Sequence, residues 1–117
     1  MTQLPESDRF PYLPVHLEIG EHRYDLDALV DTGFTGDSSV PASVIPNGHP
    51  ADFEVRATLA DGSQISVPGY LARVRVGAEP SFPIILLALG DEPIVGLGVT
   101  NRFRLILDHG QRVIIEP

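Results

Sequence analysis

The chain has 117 residues, enough for one domain with a modest core, and 43% of them are apolar, which excludes a disordered chain. Sixteen acidic residues against eight basic ones give a net charge of −8, which sets the protein against phosphate backbones and so against nucleic-acid binding. Cysteine is absent, so there is no disulfide framework; the longest apolar run, Ile84 to Leu89, is too short for a bilayer, and the start, Met1 to Asp8, lacks the basic and apolar regions of a signal peptide. The expectation is a soluble cytoplasmic protein with no membrane contact.

Residues 1–14 carry Pro5, Pro11 and Pro14 among charged neighbours and read as an irregular arm; 15–117 read as a single domain. Val15, Leu17 and Ile19 alternate with His16 and Glu18, the period of a half-buried strand. Gly20-Glu21-His22 turns the chain, and Tyr24, Leu26 and Ala28 continue the alternation into Leu29-Val30. This hairpin delivers Asp31-Thr32-Gly33 to its end, followed by the turn-rich stretch Phe34 to Ser39. Residues 41–51, with Pro41, Pro46, Gly48 and Pro50, read as a loop with room for one helical turn after Pro41. A second hairpin runs out over Phe53 to Leu59 and back over Gln64 to Val67, with Asp61-Gly62 at its turn. Strands follow over Tyr70 to Val76 and Pro83 to Leu89, and a short helix over Leu97 to Arg104. Eleven glycines and eleven prolines punctuating short strands point to an all-β protein, a closed or barrel-like sheet.

Asp31 is the residue with chemistry to offer. At the mouth of a strand a carboxylate is held rigidly and still reaches a substrate, and small neighbours let backbone N–H groups bond to it. Read alone, Asp31-Thr32-Gly33 is equally a tight turn in which the aspartate bonds its own backbone. The ordered set Ala28-Leu29-Val30-Asp31-Thr32-Gly33, Leu59-Ala60-Asp61-Gly62-Ser63-Gln64 and Ile94-Val95-Gly96-Leu97-Gly98 resembles the retropepsin-like aspartic proteases, in particular small prokaryotic single-domain members with a Val-Asp-Thr-Gly-Phe motif. The resemblance spans about Val15 to Ile115 and implies a closed β-barrel with a flap hairpin and one short C-terminal helix. In that pattern Arg102 to Asp108 and Arg112 to Ile115 resemble the helix, turn and last strand.

What the resemblance implies for function is an endopeptidase. Two carboxylates near contact share one proton, because adjacent negative charges do not both persist; the charged one activates a water and the neutral one polarises the scissile carbonyl. The chain holds no second Asp-Thr-Gly or Asp-Ser-Gly, so the missing carboxylate is Asp31 of another copy and the protein is expected to be a homodimer. Thr32 then bonds across the interface and Gly33 keeps the backbone close. Asp61-Gly62-Ser63, with Ala60, reads as a flap tip over an extended peptide, or as an ordinary solvent-facing turn. Ile94-Val95-Gly96 resembles the run that buttresses the aspartate loop. Phe34 and Gly36 depart from the retroviral pattern, and Phe34 is expected either to wall a substrate pocket or to fill space that alanine leaves to a ligand.

Other chemistries find little support. His16, His22, His49 and His109 lack ligand-like spacing, so no metal and no cofactor is expected. Asp25-Leu26-Asp27 lacks the glycine and distal glutamate of a calcium loop, and Ser38, Ser39 and Ser43 lack a nucleophile frame. Two rival readings keep a β-barrel: a catalytically silent dimeric module that binds a peptide strand or serves as a scaffold, and a small-molecule binder in which the tripeptide is accidental. Against the first, a binder has no use for a carboxylate that repels its twin.

Overall fold

The alternation Leu13, Val15, Leu17, Ile19 drives the first hairpin. In the computed structural model, which describes residues 6, 7 and 9–117, these four side chains are buried while Pro14, His16 and Glu18 are half-exposed. After the short β1 (Glu6–Ser7), β2 (Tyr12–Ile19) pairs antiparallel along its whole length with β3 (His22–Val30). Gly20 takes the left-handed conformation (φ 57°) that the tight connection requires. β4 (Ser38–Val40) is followed by a single 3₁₀ turn (Ala42–Val44) after Pro41, then by the hairpin of β5 (Phe53–Thr58) and β6 (Gln64–Arg75). β7 (Phe82–Ala88), β8 (Ile94–Val95), helix α1 (Leu97–Thr100), β9 (Arg104–Asp108) and β10 (Arg112–Glu116) complete the chain.

The strands order as β2-β3-β8-β4-β7-β6, and β6 closes back on β2 through His16 to Glu18 against Arg75 to Arg73. This is a closed six-stranded barrel of the retropepsin-like kind, from which β5 and the start of β6 project as the flap hairpin. Its interior is filled by side chains: Leu13, Ile19, Val74, Val76, Leu86, Val95 and Val99 are essentially inaccessible. A separate sheet, β1-β10-β9, lies beside the barrel and contributes Val113 and Ile115 to the same core.

Four expectations need correction. Within the expected arm, strand order begins at Tyr12 instead of Val15 because Tyr12, Leu13 and Pro14 find partners in Leu29, Ala28 and Asp27, and Glu6–Ser7 pairs with Ile114 and Val113; residues 1–5 and 8 lie outside the described residues. Helix α1 is one turn long, and Arg104–Asp108 is a strand where the resemblance implied helix. Its hairpin partner β10 decides this: His109 (φ 54°) and Gly110 (φ 68°) form a left-handed pair, closed by the Gln111 N–H donating to the Asp108 carbonyl. Pro68-Gly69 does not divide β6, since Pro68 has a strand neighbour on one side only, Glu54, with β7 joining from Gly69 onward. Finally, Ser38–Val40 is a buried strand inside the stretch read as turns, held between β7 and β8.

Candidate active site

The aspartate loop is fixed to β8 by backbone. Leu29 and Val30 pair parallel with Ile94 and Val95, and the next N–H, that of Asp31, donates to the Val95 carbonyl at 3.0 Å. Beyond the loop Ser38 and Ser39 pair antiparallel with Val95 and Ile94. The two-residue β8 thus lies between both arms of the Asp31 loop, the buttress expected of Ile94-Val95-Gly96. Three further donors tie the loop down: Gly96 N–H to the Asp37 carbonyl (2.9 Å), Leu97 N–H to that of Phe34 (2.9 Å) and Gly98 N–H to that of Gly36 (3.0 Å).

Such close approach demands glycine. A Cβ on Gly96 would sit 2.5 Å from both the Phe34 and Gly36 carbonyl oxygens, and one on Gly98 would sit 1.9 Å from Asp37 Oδ1. Asp37 spends its other oxygen on the Ile85 N–H (2.8 Å), joining the loop to β7. Gly36, the departure from the retroviral pattern, has a local cause: the Phe34 ring lies over it, and a Cβ there would meet Cζ at 2.6 Å. The buried Ser38 hydroxyl donates to the Ile94 carbonyl at 2.7 Å.

Within this frame Asp31 is half-buried, and its Oδ1 accepts the Gly33 N–H at 2.9 Å, while its carbonyl accepts the Phe34 N–H at 3.1 Å. The turn-forming role of the aspartate is therefore real, and it leaves Oδ2 without a hydrogen bond among the described residues. Thr32 and Gly33 are exposed, and the Thr32 hydroxyl makes no hydrogen bond among the described residues.

Asp31, Gly33 and Phe34 line a cleft of about 480 Å³. Thr58 and the β5–β6 connection residues Leu59 and Ala60 line it too, together with Ser39, Leu89, Gly90 and Ile94. Asp31 is the sole ionisable side chain in that lining. Asp61, Gly62 and Ser63 do not line it. They form the exposed tip, where Gly62 adopts φ 86° and Asp61 Oδ1 accepts the Ser63 N–H (2.9 Å) and hydroxyl (2.5 Å). The Ser63 hydroxyl, then its N–H, holds the Asp61 carboxyl below its ordinary value. Of the other residues lining the cleft, Leu59 and Ile94 belong to the quoted motif runs without having been singled out for the cleft, whereas Ser39, Thr58, Leu89 and Gly90 carry no local signal, and the fold brings them to Asp31.

A second cleft, about 450 Å³, opens on the outer barrel face between β2, β3 and β6. Two opposite-charge pairs span β2 and β3, His16 with Asp25 (2.5 Å) and Arg23 with Glu18 (3.3 Å), while Arg73 donates to Ser81 and Arg75 to the Gly77 carbonyl. The two ion pairs are cross-strand pairs of the β2–β3 hairpin, and this cleft shares no lining residue with the one at Asp31. Among the described residues no group of three or more His, Cys, Asp or Glu is placed to hold a metal, and no helix is long and apolar enough to cross a membrane.

No protein-family model matches the sequence, and no curated protein sequence does. The structure is similar to the crystal structure of a retropepsin-like aspartic protease from Rickettsia conorii, with a TM-score of 0.65 and 17% identity over 98% of this chain and 96% of that one. It is also similar to the solution structure of the simian foamy virus (mac) protease, with a TM-score of 0.51 and 19% identity over 75% of this chain and 91% of that one. The likeness in each case is one of fold.

Proposed function

We propose that this retropepsin-like chain is an aspartic endopeptidase that works as a homodimer, with Asp31 of each copy forming one catalytic dyad. The observation that carries the reading is the setting of Asp31. It is the one ionisable side chain lining a cleft between a backbone-anchored loop and a hairpin, with one carboxylate oxygen held by Gly33 N–H and the other uncommitted. The chain contains one such motif, and a lone carboxylate cannot serve as base and acid in the same step.

In the dimer the two carboxylates share a single proton. A water between them loses a proton to the charged carboxylate as its oxygen attacks the scissile carbonyl carbon, while the protonated carboxylate donates to the carbonyl oxygen. Collapse of the tetrahedral intermediate breaks the C–N bond as the leaving nitrogen takes up a proton from the dyad. The substrate is a peptide in extended conformation, laid between the Asp31 loop and Leu59–Ala60. Phe34, Leu59, Leu89 and Ile94 offer it apolar walls, and the exposed hairpin tip at Asp61-Gly62-Ser63 offers backbone groups for strand-like pairing.

Asp31→Asn tests this. It keeps the shape and the acceptor oxygen for Gly33 N–H, and removes the shared proton. Hydrolysis of a mixed peptide library should fall at least about 1,000-fold, with the melting temperature unchanged or raised by relief of like-charge repulsion. Wild-type turnover in Asp31→Asn would overturn the assignment. Retained peptide binding in a wild type that hydrolyses nothing would support the silent binding module instead.

A further inference from the structure

Phe34 belongs to two cavities at once. One is the cleft of about 480 Å³ that holds Asp31; the other is a recess of about 230 Å³, lined also by Gly36, Asp37, Val55, Ile85 and Leu87. Phe34 is the one residue common to the two linings. The recess is apolar in what it presents. Asp37, its one ionisable group, turns an oxygen to the Ile85 N–H (2.8 Å), and Val55, Ile85 and Leu87 supply aliphatic surface.

The half-buried ring is held in place by its own loop. The Phe34 N–H donates to the Asp31 carbonyl (3.1 Å), and the Phe34 carbonyl accepts the Leu97 N–H (2.9 Å), so its backbone is tied to the Asp31 turn and to α1. The ring itself lies on two glycines: Cβ atoms added to Gly36 and Gly96 would each meet a ring atom at 2.6 Å. Only hydrogen fits in those two places, and the loop is thereby shaped to seat an aromatic ring three residues beyond Asp31. Leaving such a close-packed seat would forfeit its contacts, so the ring acts as a fixed surface.

We propose that the Phe34 side chain is a size-selecting partition. It ends the cleft beside Asp31, keeps substrate out of the recess, and limits the peptide to a small side chain (glycine, alanine or serine) at one position next to the scissile bond. The inference rests on the endopeptidase reading under Proposed function and names the class of peptide taken. An extended peptide turns successive side chains to opposite faces, so the position that meets the ring is flanked by positions that do not. A large side chain there needs the volume that the ring holds, and Gly36 and Gly96 leave the ring no room to withdraw.

Phe34→Ala joins the cleft to the recess. Profiled on a random peptide library, wild type should demand a small residue at one position. In the variant, leucine, phenylalanine and tyrosine should gain on alanine at that same position on the order of 10- to 100-fold in kcat/KM, with the other positions keeping their preferences. Phe34→Leu, which keeps an apolar side chain on the two glycines, should fall between them, and it decides the matter if Phe34→Ala does not fold. A readout free of catalysis compares Asp31→Asn with the double variant Asp31→Asn/Phe34→Ala. Affinity selection from the same library should enrich large side chains at that position only in the double variant, and a peptide so selected should shift its Val55 and Leu87 methyl resonances. A wild type that already takes large side chains at every position, an unchanged preference in the variants, or a large side chain bound with no shift at Val55 and Leu87 would overturn the partition and leave the dyad standing. A wild type that cleaves no peptide would overturn the endopeptidase reading, and the binding comparison would still decide the partition. A library from which neither Asp31→Asn protein enriches a peptide would overturn both.

Discussion

Replacing Gly96 by alanine should uncouple the aspartate loop from its support. The added Cβ would lie 2.5 Å from the Phe34 and Gly36 carbonyl oxygens and 2.6 Å from Phe34 Cδ2. Those two oxygens cannot simply retreat, because they accept the Leu97 and Gly98 N–H groups. Moving them by about half an ångström or more weakens two backbone hydrogen bonds, each worth about 1 kcal/mol net, and adds overpacking of roughly 1–3 kcal/mol. The expected loss is ~3 kcal/mol, or about 12 °C in melting temperature for a chain of this size. Because Asp31 hangs on the same loop, hydrolysis should fall about 100-fold through displacement of the carboxylate. Gly36→Ala is the internal comparison: the nearest atoms its Cβ would meet are all of the Phe34 ring, at 2.6, 2.8 and 3.4 Å. Phe34→Ala should therefore rescue the stability of Gly36→Ala and leave Gly96→Ala unrescued. Thermal melts of the five variants (three single, two double) give the result. A Gly96→Ala protein melting within 2–3 °C of wild type, or one rescued by Phe34→Ala, would refute the reasoning that backbone oxygens set the constraint, given the size of shift that ~3 kcal/mol implies.

The flap tip carries a pH-dependent contribution. Asp61 is held below its ordinary value near 3.8, chiefly by the Ser63 hydroxyl, so it stabilises the turn above that value and the contribution is lost as pH falls through the lower folded-state value. Ser63→Ala should raise the Asp61 titration toward 3.8, read from side-chain carboxyl shifts by NMR; an unmoved titration would refute the bond. In the core, Leu86→Ala removes a side chain that is 0% exposed and should cost about 2–5 kcal/mol, whereas Leu71→Ala, at 57% exposure, should stay within ~0.5 kcal/mol in chemical denaturation. Equal losses at the two positions would contradict the assigned barrel interior.

Short-range chemistry made much of this protein legible from its residues. The alternation Leu13 to Ile19 and the Gly20 turn specify β2–β3, and Asp61-Gly62 specifies the flap hairpin, because each depends on neighbours within a few positions along the chain. The place of Asp31 at the end of an apolar strand was readable for the same reason. The cleft was not. Ser38–Val40 is polar and only three residues long, and it becomes a strand because β7 and β8, more than forty residues away, supply its partners. Arg104–Asp108 has enough aliphatic character for helix or strand, and β10 settles the matter through a left-handed His109-Gly110 turn. The glycines at 36, 96 and 98 look like ordinary turn residues in sequence; only the packed loop shows each one facing an atom that a Cβ would strike. Leu89, Gly90 and Ile94 join Asp31 only once the barrel closes, since burial and strand pairing across long separations are properties of the folded whole.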